Sequence, residues 1–214
     1  MVSATPFGAS CPSPVGGTVS DQVGAIILCL GVLSALCARD RQGIGQRVDV
    51  SHLSATMWLQ GHAITMYLLS GTYFGQIDPG RPMNPMVNLY ECKDGRWIQF
   101  MSGQFARYWE VFARALGLDE LIDDPSVSQI RDMTKGSSEL TTKIAERFKT
   151  NTADEWIDIF SESKDLIFAK VQSIEELEDD PQVIANNYIT DFAHPVLGDV
   201  KMCNFPVTFS ETPA

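Results

Sequence analysis

SDQVGAIILCLGVLSALCARDRQGIGQRVDVS, the stretch from Ser20 to Ser51, decides how the rest of the chain reads. One acid, Asp21, stands before an almost unbroken apolar run from Val23 to Ala38. Arg39, Asp40 and Arg41 close the run, and Gly43-Ile44-Gly45 leads into Arg47-Val48-Asp49-Val50-Ser51. The run is too long for an ordinary strand and shorter than the roughly 20 residues of a membrane span. The expectation is therefore a helix buried inside protein. Asp21 suits the N-cap, since a carboxylate accepts the first unpaired helix amides, and Gly43 suits a left-handed stop after Arg41. The alternating, valine-rich segment 47–51 reads as a short strand. A buried helix feeding a strand is an α/β signature, and it would hold one carboxylate at a fixed point.

On the N-terminal side, residues 1–20 are rich in Pro, Ser, Gly and Thr and read as loop. The first residues carry no basic segment and no adjacent apolar core, unlike a signal peptide. On the C-terminal side, residues 51–70 read as a second helix with Leu53, Met57, Ile64 and Leu68 along one side. His52 and His62 on it would lie about 15 Å apart along the axis. They cannot share a ligand, and each reads as a packing or capping residue.

Residues 70–88 are broken by glycine and proline into a long loop, a length that is often functional. Its segment Gly80-Arg81-Pro82-Met83-Asn84-Pro85 is either a connecting turn or a cover over a ligand, with Arg81 facing an anion. A hairpin is expected over Val87–Cys92 and Arg96–Met101, because Asp94-Gly95 is a strong turn signal. Helices follow at Phe105–Leu116, Glu139–Lys149 and Ala153–Ser163, the first ending at Gly117. Then come a strand at Leu166–Val171, a capping-box pattern of Ser173 with Glu176, a short helix interrupted at Asp180-Pro181, and two strands around Gly198-Asp199.

Among 214 residues, 44% are hydrophobic and 20% charged, with a formal net charge of -11. That balance supports a packed core and argues against nucleic acid and anionic membrane surfaces as partners. Cys11, Cys29, Cys37, Cys92 and Cys203 form no Cys-x-x-Cys pair and read as reduced thiols of a cytoplasmic protein. Scattered histidines exclude a structural zinc site, so no metal is expected. There is no P-loop, no Gly-x-Ser-x-Gly elbow and no His-Glu-x-x-His. By its residues alone, Asp21 is either a plain N-cap or an ionised carboxylate acting as nucleophile or base.

Taken together, Asp21, Gly31, Ala35-Leu36, Arg39, Gly43, Gly45-Gln46 and Val48-x-Val50-Ser51 resemble the central segment of the family III CoA-transferases. That superfamily includes carnitine and bile-acid CoA-transferases and alpha-methylacyl-CoA racemases. Ser20 stands where the family usually has glycine, and Gln42 where it has threonine. Asn88-Leu89-Tyr90-Glu91-Cys92-Lys93-Asp94-Gly95-Arg96-Trp97-Ile98, Asp180-Pro181-Gln182-Val183 and His194-Pro195-x-Leu197-Gly198-x-Val200-Lys201 extend the resemblance over nearly the whole chain.

The resemblance implies an α/β fold. Residues 1–52 would be the central part of a large nucleotide-fold domain and 53–76 a linker helix. Residues 77–152 would form a small α+β domain, 153–176 a second linker and 177–214 a return to the large domain. It implies an enzyme moving CoA from an acyl-CoA to a carboxylic acid, with Asp21 as nucleophile and an aspartyl-CoA thioester on the way. The CoA thioester is substrate, and no cofactor is permanently bound. Gly80, Arg81 and Asn84 fall where the family places a substrate-covering flap. The glycine run of formyl-CoA transferases is absent there, and Asn84-Pro85-x-x-Asn88-x-Tyr90-x-Cys92-Lys93-Asp94-Gly95 looks more like the 2-hydroxyacid and aryl-lactate transferases. An intertwined homodimer and an N-terminal half holding most CoA contacts also belong to the family. The alternatives left open are an acyl-CoA epimerase using Asp21 as acid or base, and a non-catalytic binding or assembly module.

Overall fold

The computed structural model describes residues 17–71, 79–80, 82–128 and 138–212. The chain divides into two compact units, Met1–Pro82 and Met83–Ala214.

In the first unit, helix α1 spans Val19–Gln42, 24 residues or about 36 Å. It stops as its sequence demands. Gly43 takes φ 71° and its amide donates to the Arg39 carbonyl at 2.8 Å. A short extended segment leads to α2 (His52–Leu59) and α3 (Gly61–Ser70). The single helix expected over 51–70 is broken at Gln60, whose φ and ψ of -95° and 14° leave the helical range. The start of α2 is locked by a capping box in which Ser51 Oγ accepts from the Ser54 amide and Ser54 Oγ accepts from the Ser51 amide.

Two expectations fail here. Segment 47–51 is extended but forms no strand, because a strand needs a hydrogen-bonded neighbour and none pairs with it among the described residues. Helix α1 is also not buried. None of its residues is enclosed, and Ile26, Leu30 and Leu33 are 65%, 60% and 58% exposed. A helix apolar on every side needs cover on every side, and the described part of this unit supplies one side only. That side carries Gly24, Ile27, Gly31, Ala35 and Ala38, spaced for one helical face. Its glycines admit close neighbours. A Cβ on Gly31 would lie 2.9 Å from Val48 Cγ1. By length and mean hydropathy (1.9) α1 also qualifies to cross a membrane, as does a core helix whose cover lies elsewhere.

The second unit holds an antiparallel sheet in the order β1 (Val87–Glu91), β2 (Trp97–Met101), β3 (Phe168–Lys170). The β1–β2 hairpin forms where Asp94-Gly95 predicts it. The register pairs Asn88 with Phe100 and Tyr90 with Ile98. All four are buried, and Leu89, Gln99 and Met101 on the alternate positions are exposed. That is the period-two division of a half-covered sheet. Helices α4 (Phe105–Ala115), α6 (Ser138–Phe148) and α7 (Ala153–Ser161) pack on the buried face. Between α4 and α6 lie a 3-10 turn at Asp119–Leu121 and the single-turn α5 (Pro125–Ser128).

The core is aromatic. Phe100, Phe112, Phe148 and Phe160 are all 0% exposed. The Phe100 ring meets Phe112 and Phe160 edge-to-face, both at 4.9 Å. The polar atoms that enter this core are paired, as burial requires. Trp156 Nε1 donates to the Phe148 carbonyl at 2.8 Å, and Tyr90 Oη to the Pro85 carbonyl at 2.7 Å. Burial pushes the Tyr90 hydroxyl pKa up. It also pushes the Cys92 thiol up to about 11, with the charges of Asp94 and Glu91 adding to the effect. Ala153, Trp156, Phe160 and Leu166 belong to this core, and β3 belongs to this sheet. The apolar faces of these residues thus find cover in the second unit's core.

The hairpin turn also reaches across the chain. Both Asp94 carboxylate oxygens accept from the Ala153 amide at 3.3 Å, tying the turn to the first residue of α7. Beyond β3, a 3-10 turn at Glu175–Glu178, helix α8 (Pro181–Ala185) and the hairpin β4 (Ile189–His194)–β5 (Gly198–Cys203) complete the described helices and strands of the unit. Asp180 caps α8, accepting from the Gln182 and Val183 amides at 2.8 and 3.0 Å.

Arg96 donates to Glu176 at 2.6 Å and joins β2 to this last segment. The Arg96 hydrogen bond, followed by the Ser173 amide, draws the Glu176 pKa down to about 2. A carboxylate whose folded pKa lies below its unfolded value stabilises the fold above the unfolded value, near 4.3. That contribution is lost as pH falls from there through 2. In a Glu176→Gln variant, the urea midpoint should therefore fall less between pH 6 and pH 2.5 than in the unchanged protein. Equal acid slopes in the two proteins would exclude the pair from the acid response.

Candidate active site around Asp21

Asp21 sits in the first turn of α1, but not at the cap. The cap is Thr18, in the left-handed region at φ 47° and without a side-chain cap bond. The Thr18 carbonyl accepts from the amides of Asp21 and Gln22, at 3.0 and 3.1 Å. Asp21 is thus the third helical residue. It differs from the expected N-cap because the helix begins two residues earlier, at Val19. As a helical residue it keeps the electrostatic benefit of the N-terminus, and its side chain is released from capping. The carboxylate is exposed, and Ser20 Oγ donates to its Oδ2 at 3.3 Å. A negatively charged, solvent-facing oxygen on a helix end is chemically suited to attack an electrophile or to accept a proton.

The surroundings come from a different part of the chain. His52, the first residue of α2, places Nδ1 3.3 Å from the Ser20 carbonyl, one residue before Asp21. Its ring lies over Gly24, where a Cβ would stand 3.5 Å from Nδ1. Reading by local pattern leaves His52 as packing or capping, and nothing in its neighbours signals this contact across 32 residues.

The other expected site residues stand as follows. Gly80 lies in an exposed turn, and Arg81 lies outside the described residues. Asn84 is 7% exposed and clamps the second unit's own backbone. Its Nδ2 donates to the Gly103 carbonyl at 3.0 Å, and its Oδ1 accepts from the Met86 amide at 2.9 Å. These bonds occupy both ends of the side-chain amide. Among the described residues, no three His, Cys, Asp or Glu side chains gather as a metal site. A shallow cleft of about 180 Å³ lies between α8 and β4–β5, below the size usual for a ligand pocket. Lys201 and Glu178 both line it and are paired with each other.

The whole chain, residues 1–214, matches the model of CoA-transferase family III. The chain belongs to that family. Among curated relatives, it is 29% identical over 92% of its length to an (R)-2-hydroxy-4-methylpentanoate CoA-transferase from Clostridioides difficile. It is also 29% identical over 94% of its length to a cinnamoyl-CoA:phenyllactate CoA-transferase from Clostridium sporogenes, and to the same extent to a succinyl-CoA--D-citramalate CoA-transferase from Chloroflexus aurantiacus. The chain spans about half the length of these family III relatives: 49%, 48% and 50%. The fold agrees. The crystal structure of Rv3272 from M. tuberculosis superposes with a TM-score of 0.82 at 18% identity, covering 98% of this chain and 54% of that one. A CAIB/BAIF family protein from Brucella suis gives 0.69 at 20% identity, covering 94% and 51%. The mixed α/β architecture is therefore that of family III.

Proposed function

We propose that the enzyme formed with this chain moves CoA between an acyl-CoA and a carboxylic acid, with Asp21 as the covalent carrier. An Asp21 oxygen attacks the thioester carbonyl, the C–S bond breaks, and the CoA thiolate leaves behind a mixed anhydride of Asp21 and the acyl group. The thiolate then attacks the aspartyl carbonyl, freeing the donor acid and leaving an aspartyl-CoA thioester. The acceptor carboxylate repeats the exchange in reverse and leaves as the new acyl-CoA. No water is consumed and no net proton moves, so the step requires a nucleophile rather than an acid–base pair. The exposed, uncapping carboxylate at the start of α1 carries this reading. The family III match supports it.

The acceptor is a 2-hydroxy acid. Three relatives at 29% identity are named for 2-hydroxy-4-methylpentanoate, phenyllactate and citramalate, and each of these acids bears a hydroxyl beside the carboxylate. The open sides of α1 favour work in a larger assembly, an intertwined homodimer, with acyl-CoA and the acceptor acid as its small-molecule partners. Arg81 would face an anionic group, and Gly80 with Asn84 would hold the loop that carries it.

The test is to incubate the purified enzyme with acyl-CoA, quench with hydroxylamine or borohydride, and map the adduct by mass spectrometry. Modification of Asp21 is expected, and acceptor turnover with phenyllactate should exceed that with oxalate. An unmodified Asp21, together with solvent deuterium entering α to the thioester, would instead make the protein an epimerase.

A further inference from the structure

We infer that His52 is a positioning residue for Asp21: its Nδ1–H, bound to the Ser20 carbonyl, holds the first turn of α1 in the geometry from which the Asp21 carboxylate attacks. The inference rests on the reading of Asp21 as the nucleophile and asks what keeps that nucleophile in place.

First turns of helices fray unless something satisfies or anchors them. Here the usual anchor is missing. Thr18 occupies the cap in a left-handed conformation and makes no side-chain cap bond. Among the described residues, Asp21, at the third helical position, therefore rides on a turn without a side-chain cap. The contact from His52 to Ser20, at 3.3 Å, is the one side-chain hydrogen bond from outside α1 to that turn among the described residues.

The anchor is itself rigid. His52 follows Ser51 directly, and the reciprocal Ser51–Ser54 box fixes the start of α2 with bonds of 3.0 and 3.2 Å. Helices α1 and α2 pack against each other. The imidazole lies against the turn at Gly24, where a Cβ would meet Nδ1 at 3.5 Å, an ordinary packing distance. A carbonyl only accepts, so Nδ1 is the protonated nitrogen in this contact. Nucleophilic attack tolerates little displacement: a shift near 1 Å can lower the rate about 100-fold. A clamp on the residue before the nucleophile therefore governs the chemical step more than substrate binding.

The experiment compares His52→Ala, His52→Asn and His52→Gln in the native enzyme. Asparagine places an N–H where the imidazole has Nδ1, and glutamine places one where it has Nε2. In His52→Ala, kcat should fall about 10- to 100-fold, with KM for acyl-CoA within about twofold. His52→Asn should recover most of the rate, and His52→Gln should not. Amide hydrogen exchange at residues 20–24 should quicken in the Ala and Gln variants and stay slow in Asn. Unchanged kcat in all three variants overturns the inference. So does a change confined to KM, rescue by Gln instead of Asn, or equal loss in Asn and Ala. Should His52→Ala fail to fold, the Asn and Gln pair decides the matter. The underlying reading fails separately. If acyl-CoA leaves no adduct on Asp21 of the unchanged enzyme, the nucleophile assignment falls, while the exchange data still report on the clamp.

Discussion

With Asp21 as the proposed nucleophile, replacing it with asparagine should lower CoA transfer by at least about 1,000-fold, because loss of a covalent nucleophile removes the pathway rather than weakening it. Asparagine has nearly the same shape and can occupy the same first-turn position. Its amide oxygen carries no full charge and forms no stable anhydride. The cost to the fold should be small. Asp21 is exposed and makes no cap bond; it contributes its favourable place near the helix N-terminus, worth about 0.3–1 kcal/mol, and a long, exposed contact with Ser20 Oγ at 3.3 Å. The two measurements together decide the point: initial rates of transfer, and thermal melting of both proteins. A melt within a few degrees of the unchanged protein and a lost rate place the effect in the chemistry. A rate within tenfold of the original would remove Asp21 from the role of nucleophile.

Truncating Phe100 to alanine should destabilise the second unit by about 3–5 kcal/mol. The residue sits in the middle strand of the sheet at 0% exposure. Its ring contacts Phe112, Phe148, Phe160 and Phe168, which come from α4, α6, α7 and β3. Neighbours on four elements cannot all collapse into the space one ring leaves. The remaining cavity therefore adds to the lost transfer energy, and the edge-to-face contacts with Phe112 and Phe160 add a further share. A loss of that size is a large fraction of a typical domain's stability. Chemical denaturation followed by tryptophan fluorescence will read it, since Trp109 and Trp156 lie in the same core. A change below 1 kcal/mol would mean that the core repacks around the gap.

The local elements were legible for local reasons. Gly43 ends α1, Asp94-Gly95 turns the β1–β2 hairpin, and Gly117 follows α4 in the left-handed region at φ 65°. Each depends on backbone preferences of one or two residues. The amphipathic helices α4, α6 and α7 were also legible, since their aromatic and aliphatic spacing matches the side they bury. The start of α1 was less so. An aspartate before an apolar run resembles a cap, yet the helix runs on to Val19 and leaves that carboxylate uncommitted. The covering of α1 was legible only as a need: its composition demands burial on all sides, and the described part of its unit meets one.

The candidate site divides in the same way. Asp21, and the family pattern around Gly31, Arg39, Gly43, Gly45 and Gln46, could be read directly from the chain. Asn84 was singled out as a loop residue, and its role as a clamp on Gly103 and Met86 emerged only from packing. By itself the sequence determined which carboxylate stands at the head of an apolar helix, where the chain turns, and which faces seek cover. Tertiary structure alone decided that this carboxylate is free of capping, that His52 reaches its turn, and that Ala153, Trp156, Phe160 and Leu166 join the second unit's core. The reason is the range of the interactions. Turns, stops and periodic faces are set within a few residues along the chain. The contacts that reach the first turn of α1 and close the aromatic core join segments tens of residues apart, and they exist only once the chain has folded.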